Sequence, residues 1–177
     1  MSYQAYYTCK GAKQGANKGT SERTAHKAKV PVERFDSECL APRDAIDGKA
    51  KGRRVHKPLK IVQELDANVP SILSALTSNE LLPEFILELW HKKVETGEDE
   101  QLFQFTLVDA HVVSGRLFTG YEGSGSGQDT SAATSKNTAE YDTRDIFEFA
   151  LSYRSIKWEH KVGKTMVTDD WYEGKPT

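Results

Sequence analysis

Side chains alternate between apolar and polar along much of this chain, and the alternation divides it into strands, long polar connections and one helix. SYQAYYTCKG at the start sets Tyr3, Ala5, Tyr7 and Cys9 against Gln4, Thr8 and Lys10, with Tyr6 out of step. KVPVERFDSECLAP is a second extended stretch, and its Pro31 favours an edge or a strand start. In RVHKPLKIVQEL, Val55, Leu59, Ile61 and Leu65 recur with a period of two, sharing a face with Lys57 and Gln63. That predicts a strand over 54–65. The break at Asp66-Ala67-Asn68 offers a capping side chain, Pro70 falls in a first helical turn, and Val69, Ile72, Leu73 and Leu76 form one apolar stripe. A short helix ending near Ser78-Asn79 follows, its stripe laid against a sheet. Beyond Pro83 the strands strengthen: EFILELWHKK, an acidic hairpin through VETGEDE, then QLFQFTLVDAHVVSGRLFTGY, whose pattern flips near Val112. IFEFALSYRSIKWEH changes parity at Ile156 and Trp158, as a bulge or sharp bend allows, and TMVTDDWYEG closes the series.

Six or seven strands with a parity switch in the longest, and a single helix, predict a mainly β (α+β) fold. Its form is a small antiparallel β-barrel of two packed sheets with one short flanking α-helix. A length of 177 residues fits one domain spanning 1–177. Three stretches read as exposed loops: about 11–29, rich in Gly, Lys and Ala; 42–53, with a single apolar side chain, Ile46, between 43 and 52; and 120–144, which is almost without apolar residues.

Composition narrows the function. Apolar residues make up 37% and charged residues 28%, with no run near the roughly 20 apolar residues of a membrane span and no apolar leader. The expectation is a chain made in the cytoplasm, without membrane insertion. Cys9 and Cys39 are too few and too far apart for a zinc knuckle, a redox pair or a disulfide framework. The five histidines show no ligand spacing, so no metal or other cofactor is expected. The GSGSG of 123–127 fits neither a nucleophile elbow nor a dinucleotide fingerprint. Asp109 and His111 share a strand face but lack a nucleophile or second carboxylate, and Asp169-Asp170 reads as an exposed strand end. No catalytic residue is assigned and the chain is read as a non-enzyme.

Charge is distributed unevenly. The net value of -2 conceals 14 Lys/Arg against 6 Asp/Glu in residues 1–60, and 10 against 20 in the remainder. A basic half can bind nucleic acid, but 10–29 lacks the aromatic side chains that stack on bases. Opposite fields on one subunit favour head-to-tail contact between copies. The predicted pairing sets Arg43, Lys49, Lys51, Arg53 and Arg54, with Asp44 in the same loop, against Glu95, Glu98, Asp99 and Glu100 of a neighbour. A basic module binding nucleic acid or polysaccharide is the alternative.

Several fragments, in order and spacing, carry a resemblance: Arg54 and His56-Lys57-Pro58, LLPEFILELW, LVDAHVV, Ile156-Lys157-Trp158 and Asp169-Asp170-Trp171. Together they resemble the hemolysin-coregulated protein (Hcp) family, inner-tube proteins of the bacterial type VI secretion system. The resemblance covers about residues 53–175 and the opening YQAYY. It implies a homo-hexameric ring with a wide pore, rings stacked into a tube, a VgrG spike at the tip and a contractile sheath around it. It further implies effector proteins held in the lumen, and secretion without a cleaved signal peptide.

Overall fold

In the computed structural model the described residues are 3–17, 19, 21, 26–44, 48–49, 51–93, 96–119 and 145–170. They hold eleven strands and one helix: β1 Tyr3–Gly11, β2 Gly15–Asn17, β3 Val30–Val32, β4 Arg34–Asp36, β5 Cys39–Leu40, β6 Val55–His56, β7 Leu59–Glu64, α1 Val69–Thr77, β8 Leu82–Lys92, β9 Asp99–Thr119, β10 Asp145–His160 and β11 Thr165–Asp170. Nine strands make one antiparallel sheet, ordered β2-β1-β8-β9-β10-β7-β4, with β11 on β10 and β3 on β1; β5 and β6 form a separate ribbon. The mainly β architecture with one short helix is as the alternation predicted.

The sheet curls until its ends meet. β1 and β7 stand four strand spacings apart in the order, which a flat sheet would hold roughly 19 Å apart. Yet the Tyr7 hydroxyl donates to Gln63 Oε1 at 2.5 Å. The segment from Val30 to Asp36 bridges the two margins, pairing with β1 through β3 (Tyr7↔Val30) and with β7 through β4 (Phe35↔Ile61). Glu33 N donates to Val62 O at 2.9 Å between them, so pairing is passed from one margin to the other.

Within the curl lie Tyr7, Leu59, Ile61, Phe85, Leu87, Leu107, Phe147, Phe149, Leu151 and Ile156, each 0–1% exposed. Tyr7 stacks on Phe85 with centroids 5.0 Å apart and meets Phe149 edge-on at 5.7 Å. Each such aromatic ring removes a large apolar area from water, the dominant favourable contribution to folding. One polar knot interrupts this core. Gln63, on the inward face that the period of two assigned to it, accepts from Tyr7 and donates through Nε2 to Asn68 Oδ1 at 2.9 Å; Asn68 Nδ2 donates back to the Tyr7 hydroxyl. All three polar groups are thereby partnered.

Several local expectations change. The strand expected over 54–65 is split at Lys57-Pro58 into β6 and β7, leaving Val55 and Leu65 exposed at 44% and 47%. Asn68 precedes the helix as expected but makes no side-chain cap; its amide turns inward to Tyr7 and Gln63. The buried helix face is Val69, Ile72 and Ala75, with Leu73 and Leu76 packed beside it. Those two leucines lie 3.3 and 3.4 Å from where a Cβ on Gly115 would sit, so glycine there is what lets helix and sheet approach. In β9 the inward parity changes at Asp109, three residues before Val112: Phe105 and Leu107 point in, then Ala110 and Val112. Asp109 has φ 51° and pairs with Arg154 at 2.9 Å, so a left-handed backbone step makes the switch. A separate register shift lies between Ala150 and Leu151, which face Ser114 and Val112 and leave Val113 as the extra residue, beside the flip expected near Val112.

The stretch 11–29, expected to be an exposed loop, is so only in part. Gly11 belongs to β1, Gly15–Asn17 is β2, and His26 is 0% exposed. Its imidazole stacks on Tyr6 at 4.2 Å and meets Trp90 edge-on at 4.6 Å. This is why Tyr6 is out of step in β1: residues 26–29 cover the outer face there, and Tyr6 is buried against them. The described residues of 42–53 are mostly exposed, as expected; 120–144 lies outside the described residues.

Candidate assembly surface

Two charged elements were expected to meet across copies. The acidic one is the β8–β9 hairpin. Glu100 lies 3.1 Å from Lys93 Nζ and 3.2 Å from His91 Nε2; hydrogen bonding to Lys93, more than any other contact, holds its carboxyl below the usual range. Asp99 Oδ2 sits 3.7 Å from His26 Nε2, and Glu98 O accepts from Lys93 N at 2.9 Å. Glu95 lies outside the described residues.

The basic element is the connection between β5 and β6. Asp44 N donates to Lys49 O and Lys51 N to Pro42 O, both at 2.9 Å; Arg43 Nη1 donates to Gly48 O at 3.1 Å, and Lys51 Nζ reaches Asp44 at 3.2 Å. The loop is thus laced to itself, with Arg43, Lys49, Lys51 and Arg53 exposed. Arg54 is different. Its guanidinium is engaged within its own subunit, on Asp169 and, through Nη2, on Asp170 O at 3.3 Å. The sequence reading had grouped it with the outward-facing cations because a strand pattern alone cannot show that β11 returns beside β6.

That return creates the feature sequence reasoning missed. His56 Nε2 donates to Asp169 Oδ2 at 2.6 Å, a carboxylate being able only to accept. The His56 ring stacks on Trp158 at 5.8 Å, its Nδ1 lies 3.3 Å from the Tyr153 hydroxyl, and Cys39 Sγ is 3.7 Å from Nε2. Burial alone would raise the Asp169 carboxyl, but hydrogen bonds from Arg54 and His56 outweigh it and hold the group below its usual range. Burial pushes Tyr153 up to about 12, and burial followed by Asp169 raises the Cys39 thiol. Among the described residues no group of three or more His, Cys, Asp or Glu is arranged to hold a metal ion. The signal that could have found this cluster was present: the fragments around His56, Trp158 and Asp169 were the most family-specific in the sequence, and they converge here. Asp169 is the end of a strand, as read, but it faces a buried partner.

A second polar knot lies just past the helix. Glu80, just past α1, accepts from Lys13 N at 2.7 Å, Gln14 N at 3.0 Å and Gln14 Nε2 at 3.0 Å, tying the β1–β2 turn to the helix end. The Gln14 side chain first, then those backbone amides, hold the Glu80 carboxyl low. The adjoining cleft, of about 80 Å³ and lined among others by Cys9, Asn17, Ser71 and Glu80, has room for no more than a few waters.

Asp109, which shares its strand with His111, pairs with Arg154 at 2.9 Å. What fold and surface define is a curled antiparallel barrel bearing an exposed basic loop on a fixed neck. Residues 6–160 match the family described as "Type VI secretion system effector, Hcp", and the chain belongs to that family. It is 29% identical to the major exported protein of Pseudomonas aeruginosa, over 97% of this chain and 96% of that protein. Among solved structures, an Hcp protein crystal structure superposes with a TM-score of 0.77 at 23% identity, covering 97% of this chain and 100% of that one. Secreted protein Hcp3 from Pseudomonas aeruginosa gives 0.71 at 24%, covering 96% and 99%. The chain is a structural protein of the type VI secretion tube.

Proposed function

We propose that six copies of this chain close into a ring around a wide pore and that rings stack into the type VI tube, the chain acting as one non-enzymatic domain. The observation that carries this reading is a barrel that bears an exposed basic loop between β5 and β6 and an acidic hairpin between β8 and β9. In this reading the loop of Arg43, Asp44, Lys49, Lys51 and Arg53 meets Glu95, Glu98, Asp99 and Glu100 of a neighbouring copy. The tube would carry effector proteins in its lumen and a VgrG spike at its tip, would be driven by a contractile sheath, and would leave the cytoplasm without a cleaved signal peptide.

Light scattering tests it: the particle mass should be about six times the 19.8 kDa of the chain, and a compact monomer at high concentration overturns the reading. Ring-to-ring association should weaken as salt rises to about 1 M, where the screening length falls to about 3 Å. Equal stacking at both extremes removes the charged contacts from the account.

A further inference from the structure

We propose that Asp169 is the positioning residue of the assembly loop: its carboxylate, presented by the end of β11, clamps the loop's neck to the barrel wall and so sets the direction in which the loop projects. The inference rests on the reading of that loop as a ring-to-ring contact, and deepens it.

The neck cannot hold itself. The β5–β6 ribbon contains only two residue pairs, Cys39↔His56 and Leu40↔Val55, and an isolated pair of strands is marginal in water even when longer. Below it one backbone bond, Lys57 N to Glu38 O at 2.9 Å, joins the two limbs before they enter β4 and β7, which pair at Asp36↔Lys60. Arg54 and His56, two apart on an extended chain, point to the same side, and both end on one carboxylate, while Val55 between them faces out at 44% exposure. Asp169 is in turn fixed to the wall, opposite Ile156 in the β10–β11 register, and Ile156 is fully buried. Trp158 and Tyr153, from the same stretch of β10, close on the His56 ring from beneath. The neck is therefore held by side chains reaching from outside the ribbon. The ribbon's backbone reaches the barrel through the one bond at Lys57, and Arg54 and His56 on Asp169 add a second attachment, from β11, that sets its angle. Charge-assisted hydrogen bonds are the strong ones, and two that share an acceptor fix an orientation as well as an attachment.

Hydrogen–deuterium exchange on the full-length chain tests the clamp. In Asp169→Asn the neck and loop amides of Asp44, Lys51 and Lys57, bonded to Lys49 O, Pro42 O and Glu38 O, should exchange about tenfold faster, the scale of one charged hydrogen bond. Amides of Leu87 and Leu107 in the wall should be unchanged. The double variant Arg54→Gln/Asp169→Asn should be no faster than Asp169→Asn alone, because both act through one contact. Unchanged neck exchange, or fully additive losses, overturns the proposal. In assembly, Asp169→Asn should keep the ring mass of the wild type and lose tube length in negative-stain images. Tubes of wild-type length, or loss of the ring itself, overturns it. If wild-type rings form but never tubes, the ring-to-ring role of the loop fails, while exchange still decides whether Asp169 holds the neck.

Discussion

The barrel wall and the loop neck use opposite means to hold their shape. In the wall, rings from β1, β8 and β10 fill the interior, and Gln63, a polar group set among them, is partnered by Tyr7 and Asn68. Its energy is spread over many contacts. At the neck there is little interior: one strand pair of two residue pairs stands on a carboxylate held by Arg54 and His56, with Trp158 against the His56 ring. A distributed core resists the loss of any single polar contact, whereas a clamp concentrated in one side chain can be opened without unfolding what lies below. Wall and neck are thus separable by mutation.

The largest effect should come from the wall. Phe149→Ala removes a fully buried ring that touches Tyr7, Phe85 and Phe147, and should cost about 3–5 kcal/mol in urea unfolding, a large share of the roughly 5–15 kcal/mol typical of a domain. A smaller effect should follow acidification at the outer face of β1 and β8. His26 is buried with neither ring nitrogen hydrogen-bonded, and burial, then Lys29, lowers its pKa, with Asp99 and Glu88 opposing. A group whose folded pKa lies below its unfolded value disfavours the fold once protons are available. Stability is therefore unaffected well above the ordinary histidine range near 6.5 and falls as pH drops through it toward the folded value. His26→Phe should flatten this part of the stability–pH curve; an unchanged slope would assign the acid sensitivity to another group. The smallest effect belongs to the loop: Lys51→Ala breaks an ion pair whose lysine is 75% exposed and should shift stability by less than about 0.5 kcal/mol by thermal melting.

The same division governs how much could be read in the sequence. β8, β9 and β10 were legible because burial on one face imposes a period of two, and the inward position of Gln63 followed from that period alone. The helix was legible from Pro70 and its stripe. What could not be read depended on neighbours supplied by distant chain. Tyr6 looked irregular until His26 covered it, Asn68 looked like a cap until Tyr7 and Gln63 drew it inward, and Arg54 looked like a free cation until β11 brought Asp169 to it. Polar side chains carry no periodic signature of their partner, so the charged cluster at the neck was invisible as a cluster even though each of its fragments was conspicuous.

The place of β10 between β9 and β7 has a consequence for biosynthesis. Leu59 to Glu64 emerge from the ribosome long before Asp145–Leu151, the segment against which they zip, and β1 waits similarly for β8. Loop closure on that scale slows folding, so the nascent chain must keep its early strands from pairing wrongly until nearly all of it has been made.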